Sequence, residues 1–569
     1  MRVFGGSDRR LLDAMTLQVI QRMLDHANRR PRAAAFVEVD PCSERRTLSY
    51  ATLLDSIETL AESLRRELLP GSVVMLCHPN SLEFVVGFLG GLRAGLTVFP
   101  VHPALAECEL ESAANRSRAC ALIGHKNAVE ALASLRLREF EASPIPWGDA
   151  LRERVGPLAG ARGTDTPAAR HTDSPSARVT DTSAACVPDS DGGGTAMQTA
   201  GLLLQSSGTT GVPKIVRRSG PSLDAVARNV ADAVGLTSDD RVLGLTPACH
   251  SYGVENVLLG PVWAGATVEL CRNLDTARVM KRLSGGGITV FPGVPTMFEM
   301  LAKLGEDNVP FPALRQAYAA GASLPHSVFD RFLERFGVRI GQLYGMTEIG
   351  SVTFNDPHGV DHDPESVGLP MHDVRIRVVD PVSRRLDQPL PPCMEGEVAV
   401  AAPSMLDGYL LESDDNRVSR FGETIQVGAE SGDTPTPNPI WERPQDMRDG
   451  FFLTGDLGKL DDRGRLTITG RLKLIVDVGG LKVNLLEVEA ALCQHPQVEE
   501  CAVQPVPVSD TVSRLRAFVV PKDPQAPPAP DELRAFLRVR LSAHKIPRVF
   551  EPRPSLPKSP TGKLLRHLL

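Results

Sequence analysis

Tryptophan and tyrosine are scarce in this chain, with 3 Trp and 5 Tyr among 569 residues, and aromatics reach only 5%. That argues against the stacking surface on which single-stranded nucleic acid is usually held. Positive charge is not in excess either: 62 Lys and Arg face 69 Asp and Glu, a formal net charge of -7. No nucleic-acid partner is therefore expected, and the short basic run of Arg29, Arg30 and Arg32 reads as a solvated helix end. The ten cysteines, scattered from Cys42 to Cys501, include no CxxC pair, which fits neither a disulfide framework nor a zinc site. A reduced, cytoplasmic compartment is the expectation. Long apolar runs are missing too. The opening MRVFGGSDRR has none before its charges, and the stretch Phe84 to Leu92 is short and stopped by Arg93, so neither a signal peptide nor a membrane span is expected.

What is present is length, an ordinary soluble composition of 42% hydrophobic and 23% charged residues, and a clear alternation of elements. A chain this long exceeds one ordinary core, so two or more domains are expected. Ser49 caps an amphipathic helix with Leu53, Leu54, Ile57, Leu60 and Leu64 on one face. A strand Val73 to Cys77, a helix Ser81 to Ala94 and a strand Thr97 to Pro100 follow. Further strands are predicted at Leu202 to Gln205, Val242 to Leu245, Thr267 to Leu270, Ile288 to Phe291 and Ile340 to Leu343, with a helix at Pro295 to Leu304. Helices alternating with buried strands indicate an α/β protein with a parallel sheet.

Two segments break the pattern. Residues 156–201, rich in Ala, Thr, Ser, Asp, Gly and Arg, read as a low-complexity surface insertion. Residues 412–448, with an acidic start and the string TPTPNP, read as a second insertion without periodic structure. Beyond Gly470 the character changes to short strands (Glu500 to Val503, Arg516 to Val520) and helices (Leu485 to Leu492, Asp531 to Leu541). The expected division is a large domain over 1–470 and a small α+β domain over 471–569.

The strongest local signal is the loop after the strand Leu202 to Gln205: Ser206-Ser207-Gly208-Thr209-Thr210-Gly211-Val212-Pro213-Lys214. Glycines let backbone N–H groups turn inward, hydroxyls donate hydrogen bonds, and a lysine adds a point charge; together these suit a polyphosphate. The spacing is not that of a Walker loop. Composition alone also fits a flexible loop.

The strings that follow decide between them. Ala320-Gly321-Ala322-Ser323-Leu324-Pro325, Gln342-Leu343-Tyr344-Gly345-Met346-Thr347-Glu348, Gly396-Glu397-Val398 leading to Gly408-Tyr409-Leu410, Thr454-Gly455-Asp456, Gly470-Arg471-Leu472-Lys473 and Pro557-Lys558-Ser559-Pro560-Thr561-Gly562-Lys563 occur in one order across almost the whole chain. With the glycine-rich loop, this series resembles the AMP-forming acyl-CoA synthetase, adenylation-domain and luciferase superfamily, and within it the acyl- or aryl-CoA ligases.

The resemblance implies a large N-terminal domain of mixed α/β sheets and a distorted β-barrel, with a small mobile C-terminal α+β domain. It implies activation of a carboxylic acid by ATP through an acyl-adenylate with release of pyrophosphate, then transfer to the thiol of CoA. The alternative acceptor is the phosphopantetheine of a separate carrier protein; a third reading is a nucleotide-binding protein without turnover.

Roles implied for single residues follow from the matched positions. Ser206, Ser207, Gly208, Thr209, Thr210, Gly211 and Lys214 would cradle phosphates. Tyr344 would stack on adenine, lined by Gly321, Ala322, Gln342 and Gly345, while Asp456 and Arg471 would bind the ribose. Glu348 would hold Mg2+ beside Thr347, oxygen ligands suiting a hard cation. Lys563 would reach the reacting carboxylate and phosphate, with Thr347 and His250 also catalytic. Lys473 would be the hinge about which the small domain turns between half-reactions, and Gly480 would line the thiol tunnel.

The acyl pocket would be built from His250, Ser251, Tyr252, Gly293, Val294, Gly345 and Met346. Amino-acid-activating members usually have an aspartate where Ser251 stands, so an α-amino acid is disfavoured, although Glu255 lies nearby. Plant coumarate-CoA ligase-like members read KYKGFQV where this chain reads Asp477-Val478-Gly479-Gly480-Leu481-Lys482-Val483, so contacts made by those lysines do not carry over. No acid–base triad is needed. A carboxylic acid of pKa roughly 4 to 5 is already ionised near neutrality, and the obstacle is repulsion between it and the anionic nucleotide.

Overall fold

The computed structural model describes residues 17–38, 45–125, 128, 132, 138–140, 200–206, 214–272, 274–304, 309–322, 324–360, 362–410, 417–420, 423–426, 441–442, 444–472, 475–509, 512–557 and 569. Two large sheets share a helical filling between them. The first runs Leu369–Pro370, Gly350–Asn355, Gly341–Met346, Gln316–Ala319, Val290–Gly293, Arg241–Gly244, Thr267–Leu270, Ala34–Glu38 and Arg46–Ser49. From Gly341–Met346 across to Ala34–Glu38 the neighbours are parallel, while both edges are antiparallel. The second sheet runs Trp441–Glu442, Gly408–Leu410, Lys214–Ser219, Gly201–Ser206, Thr97–Pro100, Val73–Cys77, Ala121–Gly124 and Arg138–Phe140.

The helices of the filling form where the sequence pattern places them. Helix Tyr50–Glu67 is capped by Ser49, whose hydroxyl accepts from Thr52 N–H, and it buries Leu53, Ile57, Leu60 and Leu64, with Leu54 partly buried. Helix Leu82–Arg93, capped by Ser81, is apolar almost all round because it packs on both sides, and all of Phe84 to Leu92 is buried. Helix Gly220–Val234 completes the layer and ends at Gly235, which takes the left-handed conformation at φ 66°. Among the described residues, no helix is long and apolar enough to cross a membrane.

A five-stranded antiparallel sheet follows: Arg375–Val379, Gly396–Ala401, Phe451–Leu460 and Met447–Arg448, with Leu466–Arg471 pairing the long central strand. After it come the hairpin Ile475–Val478 with Leu481–Asn484, and a three-stranded sheet of Val498–Pro507, Ser513–Pro521 and Val549–Pro552. Helices Leu485–Cys493 and Pro530–Arg538 accompany that small sheet, giving the α+β unit its own core around Val483, Val488, Leu492, Leu515 and Leu537.

Strand and helix expectations hold to within a few residues; the largest slip is Val498–Pro507 against the predicted Glu500 to Val503. The second insertion, which carries no periodic pattern in sequence, holds a hairpin of Arg417–Arg420 with Glu423–Gln426. Strand pairing there needs only backbone groups, which hydrophobic periodicity does not report. Most of the first insertion, from 156 to 199, lies outside the described residues.

Candidate active site

In parallel α/β sheets ligands bind beyond the carboxyl ends of the strands. Here those ends deliver His250 after Arg241–Gly244, Val294 after Val290–Gly293, Gly321 and Ala322 after Gln316–Ala319, and Thr347 after Gly341–Met346. Each arrives in a turn fixed by specific bonds. Asn80 reaches across to the loop before His250: its amide donates to the carbonyls of Gly244 and Thr246 at 3.3 and 3.0 Å and accepts from Ala248 N–H at 2.8 Å. Thr347 and Glu348 sit at the tip of the hairpin formed by Gly341–Met346 and Gly350–Asn355. A Cβ on Gly345 would lie 2.4 Å from the Gly350 carbonyl, so this tight hairpin excludes any side chain there.

The helical segment carrying the pocket residues widens in its middle. Ser251–Gly253 leads into a π-helical stretch, Val254–Leu259, and then Gly260–Ala264. Gly260 N–H bonds to the carbonyl of Glu255, five residues back. Such widened turns cluster at functional sites because they rotate side chains out of the ordinary helical register. The Asn256 amide donates to the Tyr252 carbonyl at 3.1 Å and its oxygen accepts from the Tyr318 hydroxyl at 3.0 Å. A Cβ on Gly253 would fall 2.0 Å from the Pro247 carbonyl, so the loop and the helix start are in direct backbone contact.

Beneath these residues lies a buried ion pair. Arg218 Nη1 donates to Glu255 Oε1 at 2.5 Å, with the side chains 0% and 2% exposed. The carboxylate also accepts from Ser251 Oγ at 2.7 Å, and from the backbone N–H and hydroxyl of Ser351 at 2.8 and 2.6 Å. Arg218 Nε donates to Ser222 Oγ at 3.1 Å; that hydroxyl donates to the Ser404 carbonyl, and Ser404 Oγ donates to the carbonyl of Ile349. One network thus joins the strand leaving the glycine-rich loop, the pocket helix and the Thr347–Glu348 hairpin. Both carboxylate oxygens of Glu255 are engaged by it.

The residues expected on the nucleotide side fall into two groups. Tyr344 hydroxyl donates to Asp456 Oδ2 at 2.8 Å, both residues being buried. Arg471 lies directly across the ladder from Asp456. The Gln342 amide nitrogen is held by the carbonyls of Pro364 and Ser366 at 2.5 and 3.1 Å, so it braces a loop. In the second group the Tyr409 hydroxyl donates to Glu348 Oε1 at 3.1 Å while its ring lies under Lys214 Nζ, 4.2 Å from the centroid. Tyr409 therefore links the lysine of the phosphate loop to the candidate metal carboxylate. Burial, then the Glu348 charge, raises its phenol pKa and keeps it a neutral donor. Ser206 is buried at the end of its strand. Ser207, Gly208, Thr209, Thr210, Gly211, Lys473 and Lys563 lie outside the described residues, and of Arg471 only the backbone is described.

On the acyl side, the His250 side chain is exposed to solvent at its surface, while protein atoms crowd closely around it. Burial, with the neighbouring His102 and His544 adding to it, pushes its pKa down to about 4. His102 stacks beside it with ring centroids 6.1 Å apart and accepts Ala104 N–H on Nδ1. Tyr252 and Met346 are partly buried against the main core, and Gly293 and Val294 are buried. Gly480, at φ 88° in the turn of the small-domain hairpin, presents its bare Cα to this pocket: a Cβ would sit 3.2 Å from Val294 Cγ2 and 3.7 Å from Thr296 Oγ1.

Sequence reading missed Asn80, Arg218, His102 and Tyr409. For Arg218 a signal existed. It shares a strand face with the buried Val216, and an arginine on such a face demands a buried acid.

The chain matches the family model described as AMP-binding enzyme over residues 23–410 and that of the AMP-binding enzyme C-terminal domain over residues 487–563. A feruloyl-CoA synthase of Amycolatopsis sp is 29% identical over 529 residues, covering 91% of this chain and 92% of the relative. A long-chain-fatty-acid–CoA ligase of Escherichia coli O6:H1 is 27% identical over 519 residues, covering 88% and 85%. Among solved structures, a malonyl-CoA ligase ternary product complex with methylmalonyl-CoA and AMP bound superposes with a TM-score of 0.68 at 25% identity, covering 93% of this chain and 97% of that one.

Removing one member of a buried ion pair leaves an uncompensated charge and costs about 3–5 kcal/mol. Arg218→Met is expected to lower the unfolding free energy of the large domain by that order, read as a lower denaturant midpoint. The double variant Arg218→Met with Glu255→Met should recover part of the loss; equilibrium unfolding in urea measures both.

Three imidazoles crowded by protein, His78, His250 and His544, have pKa values pushed down to about 4, chiefly by the loss of solvent around them. The unfolded chain takes up these protons near pH 6.5 and the folded chain does not. Their contribution is therefore intact above about pH 6.5 and is lost as pH falls toward 4. The urea midpoint should decline from pH 7 to pH 5, and His78→Phe should flatten that decline.

Proposed function

The chain belongs to the AMP-binding enzyme family, and on that premise we propose that it joins a carboxylic acid to CoA in two half-reactions. In the first, a carboxylate oxygen attacks the α-phosphorus of ATP and pyrophosphate leaves, giving the acyl-adenylate. In the second, the CoA sulfur attacks the acyl carbonyl carbon, the thiol proton is released, and AMP departs with the bonding electrons. The observation that carries this reading is the convergence of the Tyr344–Asp456 pair, the Lys214–Tyr409–Glu348 link and the His250 pocket around one set of strand ends.

The parts fit the chemistry. Asp456 supplies a carboxylate where ribose hydroxyls can donate, with Arg471 across the ladder from it. Glu348 is a buried carboxylate at a hairpin tip beside Thr347, with one oxygen accepting from Tyr409. That donor set suits Mg2+, which when bound would offset phosphate charge. Lys214 and, at the end of the chain, Lys563 add fixed positive charge where two anions must approach. The imidazole of His250, with a pKa near 4, stays neutral at physiological pH. A thiol of pKa about 8.5 does not readily give it a proton, so its part is a hydrogen bond to the acyl carboxylate or carbonyl oxygen.

The pocket chemistry narrows the acid. Ser251 and Glu255 are committed to the Arg218 network, which leaves an α-amine without a counter-charge. His250, Tyr252, Val294 and Met346 offer no cation to a second carboxylate. We read the substrate as a monocarboxylic acid with an apolar or aromatic tail; the feruloyl- and long-chain-fatty-acid-activating relatives support that class. Gly480 against Val294 and Thr296 supports a pose in which the small domain offers its hairpin turn to the thiol path, with Lys473 as the hinge for the alternative pose.

The expected outcome in a panel of fatty, aryl, amino and dicarboxylic acids is pyrophosphate release from ATP with fatty or aryl monoacids, accelerated by CoA and yielding the acyl-CoA. Adenylate formation without thioester would redirect the acceptor to a carrier protein. Lys563→Ala should lower acid-dependent ATP–pyrophosphate exchange by at least about a hundredfold, the usual scale for a fixed charge in the transition state. Circular dichroism of that variant should match the parent, and unchanged exchange would remove the lysine from the mechanism.

A further inference from the structure

Away from the reacting groups, the small domain is fastened to the large one by a buried charge cluster. Lys545, in the 3-10 turn Ala543–Lys545, is 8% exposed. Its ammonium donates to Glu109 Oε1 at 3.0 Å and to Glu487 Oε1 at 2.8 Å. Glu109 belongs to the large-domain helix Glu107–Ser117, whereas Glu487 lies in the small-domain helix Leu485–Cys493. Ser542 Oγ donates to the second Glu109 oxygen, which also accepts Ala106 N–H at 3.0 Å and so caps the Glu107–Ser117 helix. Next to it, Cys108 Sγ donates to the Val539 carbonyl at 3.0 Å.

Geometry makes this cluster sensitive to the relative placement of the two domains. Lys545, Ser542 and Glu487 travel together, and Glu109 alone comes from the other side. The side chains of Glu109 and Glu487 are each 13% exposed and that of Lys545 11%, so the charges meet largely out of water, where charge-assisted bonds are strong. The Lys545 charge lowers the pKa of Glu109 against its burial, whereas burial raises that of Glu487. The ammonium thus favours the charged form of Glu109, the acid across the domain boundary. The same placement of the small domain sets Gly480 at Val294 and Thr296, and Ser509 Oγ on Glu299 Oε2 at 2.9 Å.

We propose that Glu109 is a positioning residue for the second half-reaction, acting through Lys545 and Ser542 to hold the small domain in the pose that presents Gly480 to the acyl pocket. This rests on the two-step reading above. Rotation of the small domain about Lys473 would separate Glu109 from its partners, so the cluster favours thioester formation and contributes nothing to adenylation. Glu109→Gln suits the test because its amide oxygen can still accept Ala106 N–H and preserve the helix cap.

In single-turnover experiments with the full chain, Glu109→Gln and Lys545→Met should each slow thioester formation from preformed acyl-adenylate by about tenfold or more, the scale of losing a charge-assisted bond. Acid-dependent ATP–pyrophosphate exchange should stay within about twofold of the parent, or rise, because the competing pose is weakened. The double variant should be no slower than the slower single one, since both break the same contact. Equal loss in both half-reactions, or an unaltered thioester rate, would overturn the proposal. If the parent itself showed no acid-dependent exchange, the two-step reading would fail instead, before the variants were compared.

Discussion

The site depends on the Arg218–Glu255 pair. Each charge is buried, so that leaving it without a partner would be costly, and each is compensated by the other and by Ser251, Ser222 and Ser351. Because the satisfying groups come from separate elements, the pair sets the distance between them. The strand that leaves the phosphate loop, the widened helix of the pocket and the hairpin bearing Thr347 and Glu348 keep their spacing only while that network is complete. A similar logic holds at Asn80, where one amide secures the loop that ends in His250.

Around this rigid base the reactive surface is assembled from neutral or singly charged groups rather than from an acid–base triad. His250 is kept uncharged by the protein crowded around it, Tyr409 is kept a donor by burial and by Glu348, and Lys214 stands over the Tyr409 ring. That distribution suits a reaction whose barrier is repulsion between anions. Close backbone approaches add a second constraint. Gly253 against Pro247 and Gly345 against Gly350 place the pocket helix and the hairpin nearer to their neighbours than any side chain would allow. Gly480 belongs to the same class, but its close neighbours, Val294 and Thr296, lie in the other domain.

Much of the fold was legible because its signals are local. The cap at Ser49, the apolar face of Tyr50–Glu67 and the buried strand Val73–Cys77 are each written in a few neighbouring residues. The hairpin Arg417–Arg420 with Glu423–Gln426 escaped notice because backbone pairing carries no side-chain period there. Glu255 was legible as a residue and misleading as a function: its position beside Ser251 invites an amine, and only its partner shows that the carboxylate is already neutralised.

The sequence by itself determined the chemistry available: the phosphate loop, the Tyr344-Gly345-Met346-Thr347-Glu348 string, Asp456 and the terminal lysine motif, all readable because turns and loops are specified by contiguous residues. Tertiary structure alone decided which charges cancel. Arg218 finds its acid 37 residues away and Glu109 its lysine 436 residues away. The physical reason is that a buried charge requires an opposite one in contact but does not specify which, and with 62 cations and 69 anions in the chain that choice belongs to packing.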